Sequence, residues 1–386
     1  MQPSGSNETP SNQPLSNPPT LPSPFSVNKI RIPTQFRSLE MAPNERCNLA
    51  GCENDRPSQL ALAALSNLSP DMLTDHWDSQ DAKLRKELGA LHGVDPAQMF
   101  LTSGALGAIR YSFEVFGRNA EHIGLLRPDW PGFTHFANKV SARQSQLEKL
   151  EFPFQFEVDD IARFVTDNGV DFLIISNPSA VTGRFWMPHE VKSLIGSCPN
   201  TMFVVDEADT IYPNLSSAGL VNEHRNVLFL ESFSKFFGLS GLRVGYLVTP
   251  VDYANAFDQT IDTMELTSLA LVAARAALAD VEYQRTTQRE VVANLGKVSR
   301  AVAASPYLLA PGSQCFAAYL YAESPIEDPW LTLRERGVDL VPASHFLLER
   351  GGRLNLRNPH AIDVFISTMR SLFPTLPSND DSHSSI

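Results

Sequence analysis

The chain is short of cysteine and of positive charge, and it has no long apolar run. Its four cysteines, Cys47, Cys52, Cys198 and Cys315, form no C-x-x-C pair. A disulfide framework is therefore not expected, and a reducing compartment is the default. Lysine and arginine number 31 against 43 aspartates and glutamates, a net charge of −12. Such a surface repels phosphate, which argues against nucleic-acid and anionic-membrane partners. It does not argue against a small anionic ligand, which needs only a local positive site. No apolar stretch approaches the ~20 residues that span a bilayer. The N-terminus carries neither a cationic flank nor an apolar core of the secretory type. These absences lead to the expectation of a soluble, cytoplasmic protein. No internal repeat is found, and no metal site is expected.

What is there is a chain of 386 residues, 43% of them hydrophobic. That is enough to bury a large core, and the length favours two or three domains. Residues 1–28 are low in complexity and are expected to stay disordered, having too little apolar surface to offset the entropy of ordering. Residues 375–386 read the same way. Between the tails, short runs rich in Val, Ile, Leu and Phe predict strands at 123–126, 172–176, 202–205, 227–230 and 244–248. Helical patterns at 104–116, 132–141 and 188–196 separate several of them. The alternation predicts an α/β domain with a mostly parallel central sheet and helices on both faces. A long helical stretch over 264–305 leads into a smaller α+β domain, with elements at 315–321, 330–336, 339–341, 354–356 and 361–372. The expected division is an arm over 29–58, a large domain over 59–280 and a small one over 281–374.

The chemistry begins at Lys235, within Leu228-Phe-Leu-Glu-Ser-Phe-Ser-Lys-Phe-Phe-Gly-Leu. A single lysine is ordinarily just a solvated charge. Here few polar neighbours are available, and desolvation disfavours an ammonium. A neutral amine is the form that attacks a carbonyl to make a Schiff base. Ser232, Ser234 and Arg243 add two hydroxyls and a guanidinium, a set that suits a phosphate. Further upstream, Phe203-Val-Val-Asp-Glu-Ala-Asp reads as a strand ending in acids, where an α/β sheet presents its site groups. Leu101-Thr-Ser-Gly-Ala-Leu-Gly reads as a strand-turn-helix start, and backbone N–H groups near Gly104 and Ala105 would face an anion.

Ser232 to Gly245 fits S-x-S-K-x-x-G-L-x-G-x-R-x-G throughout. In this the chain resembles the fold-type I pyridoxal-phosphate enzymes, specifically the class I/II aminotransferases of the histidinol-phosphate kind. The resemblance runs from about Asn48 to Phe373. It implies that pyridoxal 5′-phosphate is held as a Schiff base on Lys235, with Ser232, Ser234, Arg243 and the Ser103-Gly104-Ala105 turn around its phosphate. Asp206 would pair with the protonated pyridine nitrogen. Trp130, in Arg127-Pro-Asp-Trp-Pro-Gly-Phe, would stack on the ring with Phe133 flanking it; core packing is the plainer role for this tryptophan. In Arg353-Leu-Asn-Leu-Arg, Arg353 is the aligned partner of a substrate α-carboxylate, with Arg357 close by in sequence. Gly51 and Cys52 would cover the substrate. A homodimer with its sites at the interface is implied as well.

Three departures stand out. Ser176-Asn-Pro-Ser-Ala-Val-Thr-Gly puts Ala180 and Val181 where the family has Asn-Pro before Thr-Gly, leaving Asn177, three positions earlier, as a second candidate. Asp209 stands where the family has a tyrosine. Both usual donors to the cofactor's 3′-oxygen are thus missing, although Asp209 still lies at that edge by alignment. The segment that a neighbouring subunit offers to the phosphate reads Asp75-His-Trp-Asp, so His76 or Trp77 would fill that role. The first expectation is an aminotransferase acting on an amino acid and a 2-oxo acid. The departures favour, as an alternative, another reaction on the same cofactor: decarboxylation, cyclisation, elimination or oxidation. A non-catalytic binding relative is the third reading, disfavoured by the acidic charge and the lack of a basic helix-turn-helix pattern.

Overall fold

The computed structural model describes residues 47–51, 54, 56–74, 80–261, 265–311 and 315–374. Both tails, Cys52, His76 and Trp77 lie outside these. The described residues all belong to one compact unit, 42–386. Its centre is a seven-stranded sheet: β1 (Met99–Ser103), β2 (His122–Arg127), β3 (Arg143–Glu148), β4 (Phe172–Ser176), β5 (Met202–Asp206), β6 (Val227–Ser232) and β7 (Val244–Val248). The spatial order is β1-β7-β6-β5-β4-β2-β3. Only β7 runs antiparallel to its neighbours; the other pairs are parallel.

Strand residues alternate between two buried faces. Phe172, Ile174, Val204, Leu228 and Leu230 pack on one side, with Ile109 of helix α1 (Gly104–Ser112) and Phe136 of α2 (Gly132–Ala137). Leu173, Ile175, Phe203, Val205 and Phe229 pack on the other. There they meet Ile161 of α3 (Val158–Asn168), Leu194 of α4 (Pro188–Ser197) and Ala273 of α5 (Ser268–Ala279). A parallel sheet covered on both faces needs apolar residues at every position, which is why β4 to β7 read as plain apolar runs. The edge strand β3, Arg-Gln-Ser-Gln-Leu-Glu, pairs only with β2 and is mostly polar. An edge is half solvated, so no apolar run marked it in the sequence.

The expected long helix over 264–305 is two helices. Asp280 closes α5 and caps α6 (Val281–Ala303), its carboxylate accepting the Tyr283 N–H at 3.1 Å and the Ser58 hydroxyl at 2.6 Å. A side chain that caps a helix start competes with helix continuation. Beyond it, β8 (Leu308–Leu309), β9 (Ala317–Tyr321), β10 (Val341–Pro342) and β11 (Gly352–Asn355) form an antiparallel sheet ordered β10-β11-β9-β8. Helix α7 (Pro359–Leu372) buries Ile362, Phe365 and Met369 beside it. The strand expected at 339–341 is split, because Val338–Asp339 pairs in parallel with Cys47–Asn48 while Val341 joins β11. No described helix is long and apolar enough to cross a membrane.

Candidate active site

Parallel strands end together, so Ser176, Asp206 and Ser232 reach one rim of the sheet at the carboxyl ends of β4, β5 and β6. Ser103, at the end of the antiparallel-paired β1, lies opposite Val244 at the start of β7. The rim is where α/β folds place ligands.

At one corner the Ser232 hydroxyl accepts the Ser234 N–H at 3.0 Å. Arg243, in the left-handed region at φ 55°, donates from Nη1 to the Ser234 hydroxyl at 3.1 Å and to the Ser240 carbonyl at 3.0 Å. The Ser103–Ala105 turn lies against this guanidinium: a Cβ on Gly104 would come within 2.4 Å of Arg243 Nη2. A Cβ on Gly245 would come within 2.4 Å of the Gly104 carbonyl carbon. Both positions therefore need glycine to bring the first turn of α1 beside Arg243. Hydroxyls, a guanidinium and a helix N-terminus converge there, a donor set with no acid in it that fits a phosphate.

Lys235 is partly accessible, and its Nζ lies 2.6 Å from Asp209 Oδ2. This corrects the expectation of a lysine with few polar neighbours: tertiary contact supplies a carboxylate. Burial would raise the Asp209 carboxyl, but the charges of Lys235, Arg353 and Arg357 outweigh it and hold it below its ordinary value. Asp206 accepts the Ala208 N–H at 3.0 Å. Burial pushes its carboxyl up to about 6, opposed by that bond and by the charge of Lys235. Lys235, Asp206 and Asp209 thus form one electrostatic group.

Trp130 is partly accessible and meets the buried Phe133 edge to face at 5.3 Å. Phe133 is a core residue that supports the indole. A Cβ on Gly132 would fall 1.9 Å from the indole, so the ring lies directly over that glycine. Arg353 lies on β11 opposite Tyr319, buried, with Nη1 donating to the Ala180 carbonyl at 3.1 Å. Arg357 is also buried, its guanidinium 3.7 Å from the centre of the Phe316 ring. The Asn355 side chain donates to the Gly51 carbonyl, and the Asn355 N–H donates to the Leu49 carbonyl at 2.8 Å, which brings Gly51 beside the Arg353 strand.

Asn177 stands apart from the group. It has no exposed surface; its amide donates to the Trp186 carbonyl at 3.0 Å and accepts the Trp186 N–H at 2.7 Å. The expectation of a cofactor contact from this side chain is corrected, because a side chain pinned inside the protein presents nothing to a cleft. Two residues that sequence reasoning passed over also reach the rim: Asp129 and Ser176, joined by a hydrogen bond. The available signal was a carboxylate set between Pro128 and Trp130-Pro131.

Fold and rim together define an α/β protein whose sheet rim sets a donor cluster that fits an anion near the Lys235 amine. Residues 48–368 match the family of aminotransferases class I and II. The chain is 31% identical over 258 residues to a histidinol-phosphate aminotransferase of Natronomonas pharaonis, covering 65% of this chain and 71% of that protein. It is 29% identical over 191 residues to a dihydroxyacetone phosphate transaminase of Campylobacter jejuni, covering 50% of this chain and 52% of that one. A histidinol-phosphate aminotransferase from Sinorhizobium meliloti, solved with pyridoxal-5′-phosphate, superposes with a TM-score of 0.75 at 19% identity, covering 91% of this chain and all of that one. That likeness shows the fold. The chain belongs to the class I and II aminotransferase family, and its chemistry is amino-group transfer.

Proposed function

We propose that this chain is a pyridoxal-phosphate-dependent aminotransferase that moves an amino group between an amino acid and a 2-oxo acid. The observation that carries the reading is the grouping of Lys235, Asp206 and the Arg243 cradle on one rim. The cofactor, when bound, supplies a cationic ring that stabilises negative charge at the substrate α-carbon. Ser232, Ser234, Arg243 and the Ser103-Gly104-Ala105 turn would hold its phosphate, Trp130 its ring face, and Asp206 its ring nitrogen. Lys235 would carry it and then move the α-proton through Nζ, as a positioned general base. Arg353 would fix the substrate carboxylate, with Gly51 and Cys52 covering it. Asp209 would stand at the cofactor's oxygen edge in place of a phenol. The assembly would be a cytoplasmic homodimer with His76 or Trp77 reaching the partner's phosphate. The large part would span 59–280 and the small part 281–374.

A spectral screen against the common amino acids, with product identification, tests this. An aminotransferase given an amino acid alone stops after one equivalent until an oxo acid is added. Continuous turnover, CO₂ release or oxygen uptake would instead establish the second reading, a different reaction on the same cofactor. The Asp209–Lys235 ion pair favours keeping that reading in view, since it puts a carboxylate rather than a phenol against the reacting amine.

A further inference from the structure

Asp129 has no part in the roles above, yet its carboxylate is held on three sides. Oδ1 accepts the Trp130 N–H at 2.7 Å and the Ser176 hydroxyl, and Oδ2 accepts the Ser176 N–H at 3.1 Å. The Ser176 oxygen in turn accepts the Ala180 N–H at 3.1 Å. The carbonyl of that same residue takes the Arg353 guanidinium at 3.1 Å. Ser176 also stands opposite Asp206 in the register of β4 and β5. Burial pushes the Asp129 carboxyl up to about 7; its bonds to Ser176 and Trp130 oppose this and the Asp206 charge adds to it. Ala180 has no side chain able to hold its loop, so the loop is tied through its backbone.

We propose that Asp129 is a positioning residue: through Ser176 and the backbone on both sides of Ala180 it fixes the Arg353 guanidinium, while its other bond fixes the backbone of Trp130. The relay joins the ends of β2 and β4 to β11, linking the two sheets across the rim. A carboxylate suits the position because one oxygen takes two donors while the other takes a third, which a neutral side chain cannot match in strength. The relevance of the relay to substrate rests on the reading of Arg353 as the carboxylate partner; the relay itself does not.

The test is phenylglyoxal labelling of Arg353 in the purified protein, read by peptide mass spectrometry, alongside amide exchange of the 176–183 segment. Asp129→Ala and Ser176→Ala are expected to raise Arg353 labelling and Ala180 exchange by about tenfold, the scale of losing a charged hydrogen bond. Asp129→Asn, which keeps one acceptor oxygen but turns an amide nitrogen toward the Ser176 N–H, should raise both rates less than Asp129→Ala does. Thr182→Val should leave Arg353 labelling unchanged, because that hydroxyl accepts only the Arg184 N–H among its described bonds, in a peptide apart from the Ala180 carbonyl. The proposal is overturned if Ser176→Ala leaves Arg353 labelling at the native rate, or if Thr182→Val raises it equally. Should Asp129→Ala not fold, Ser176→Ala and Asp129→Asn decide the matter. Arg353→Lys, scored by the KM for whichever amino acid is active, tests the carboxylate reading separately, and its failure would leave the labelling result standing.

Discussion

At the scale of single residues, the contact with most chemical consequence is the one between Lys235 and Asp209. An ammonium is not a nucleophile, so Lys235 must give up a proton before it attacks a carbonyl, and a carboxylate against it favours the charged form. The charges of Lys235, Arg353 and Arg357 together outweigh burial and hold the Asp209 carboxyl below its ordinary value. Replacing Asp209 with Asn is therefore expected to speed uptake of added pyridoxal phosphate severalfold at neutral pH, followed by the absorbance of the bound cofactor. Uptake that slows would show that the carboxylate assists the amine instead. Lys235→Ala is expected to lower kcat by about 10²–10⁴-fold, the usual contribution of a positioned proton-transfer group. Single-turnover spectra with added cofactor measure this, and a loss under tenfold would place the base elsewhere.

At the scale of elements, the rim depends on what stands behind it. Glu231 on β6 accepts the Tyr246 hydroxyl of β7 at 2.8 Å, and His92, ending the helix Gln80–His92, reaches the same hydroxyl at 2.9 Å. Burial, with the nearby Glu207 charge, raises the Glu231 carboxyl well above its ordinary value, and burial pushes His92 down to about 4. A carboxyl raised by folding stabilises the protein below the ordinary carboxylate range, and that stability is lost as pH rises through the raised value. Glu231→Gln, a neutral acceptor of the same shape, should thus melt near the native protein at about pH 5 and above it at about pH 8. Thermal melts across that range check it; a stabilisation that shrinks with rising pH would reverse the assignment. Gly132→Ala should displace the indole of Trp130, because the new Cβ would sit 1.9 Å from the ring. Weaker cofactor retention and altered tryptophan emission are the expected outcomes.

How much of this was readable beforehand follows the same division. The strands β4 to β7 were legible because burial on two faces demands apolar runs. The polar edge strand β3 was not, and the break at Asp280 was hidden inside a continuous helical pattern. Lys235, Ser234 and Arg243 were legible because ten consecutive residues hold all three. Asn177 was misread because its amide turns inward to Trp186, a choice made by the loop's conformation and not by its residue types.

At the scale of the whole molecule, the homodimer is the expectation that most affects the site. Sedimentation at micromolar concentration should give twice the monomer mass, and dilution to monomer should release cofactor. A monomer that retains cofactor would exclude a phosphate contact from a partner chain. The sequence by itself determined the family and the α/β fold class, since both rest on contiguous motifs and on the burial pattern of strands. Only the tertiary structure decided what Lys235 faces and how Arg353 is held. Asp129 and Ser176 lie 47 positions apart, and Ala180 and Arg353 lie 173 apart. Hydrogen bonds at about 3 Å between such distant residues depend on where loops turn at the sheet rim, and no local pattern in a chain records that.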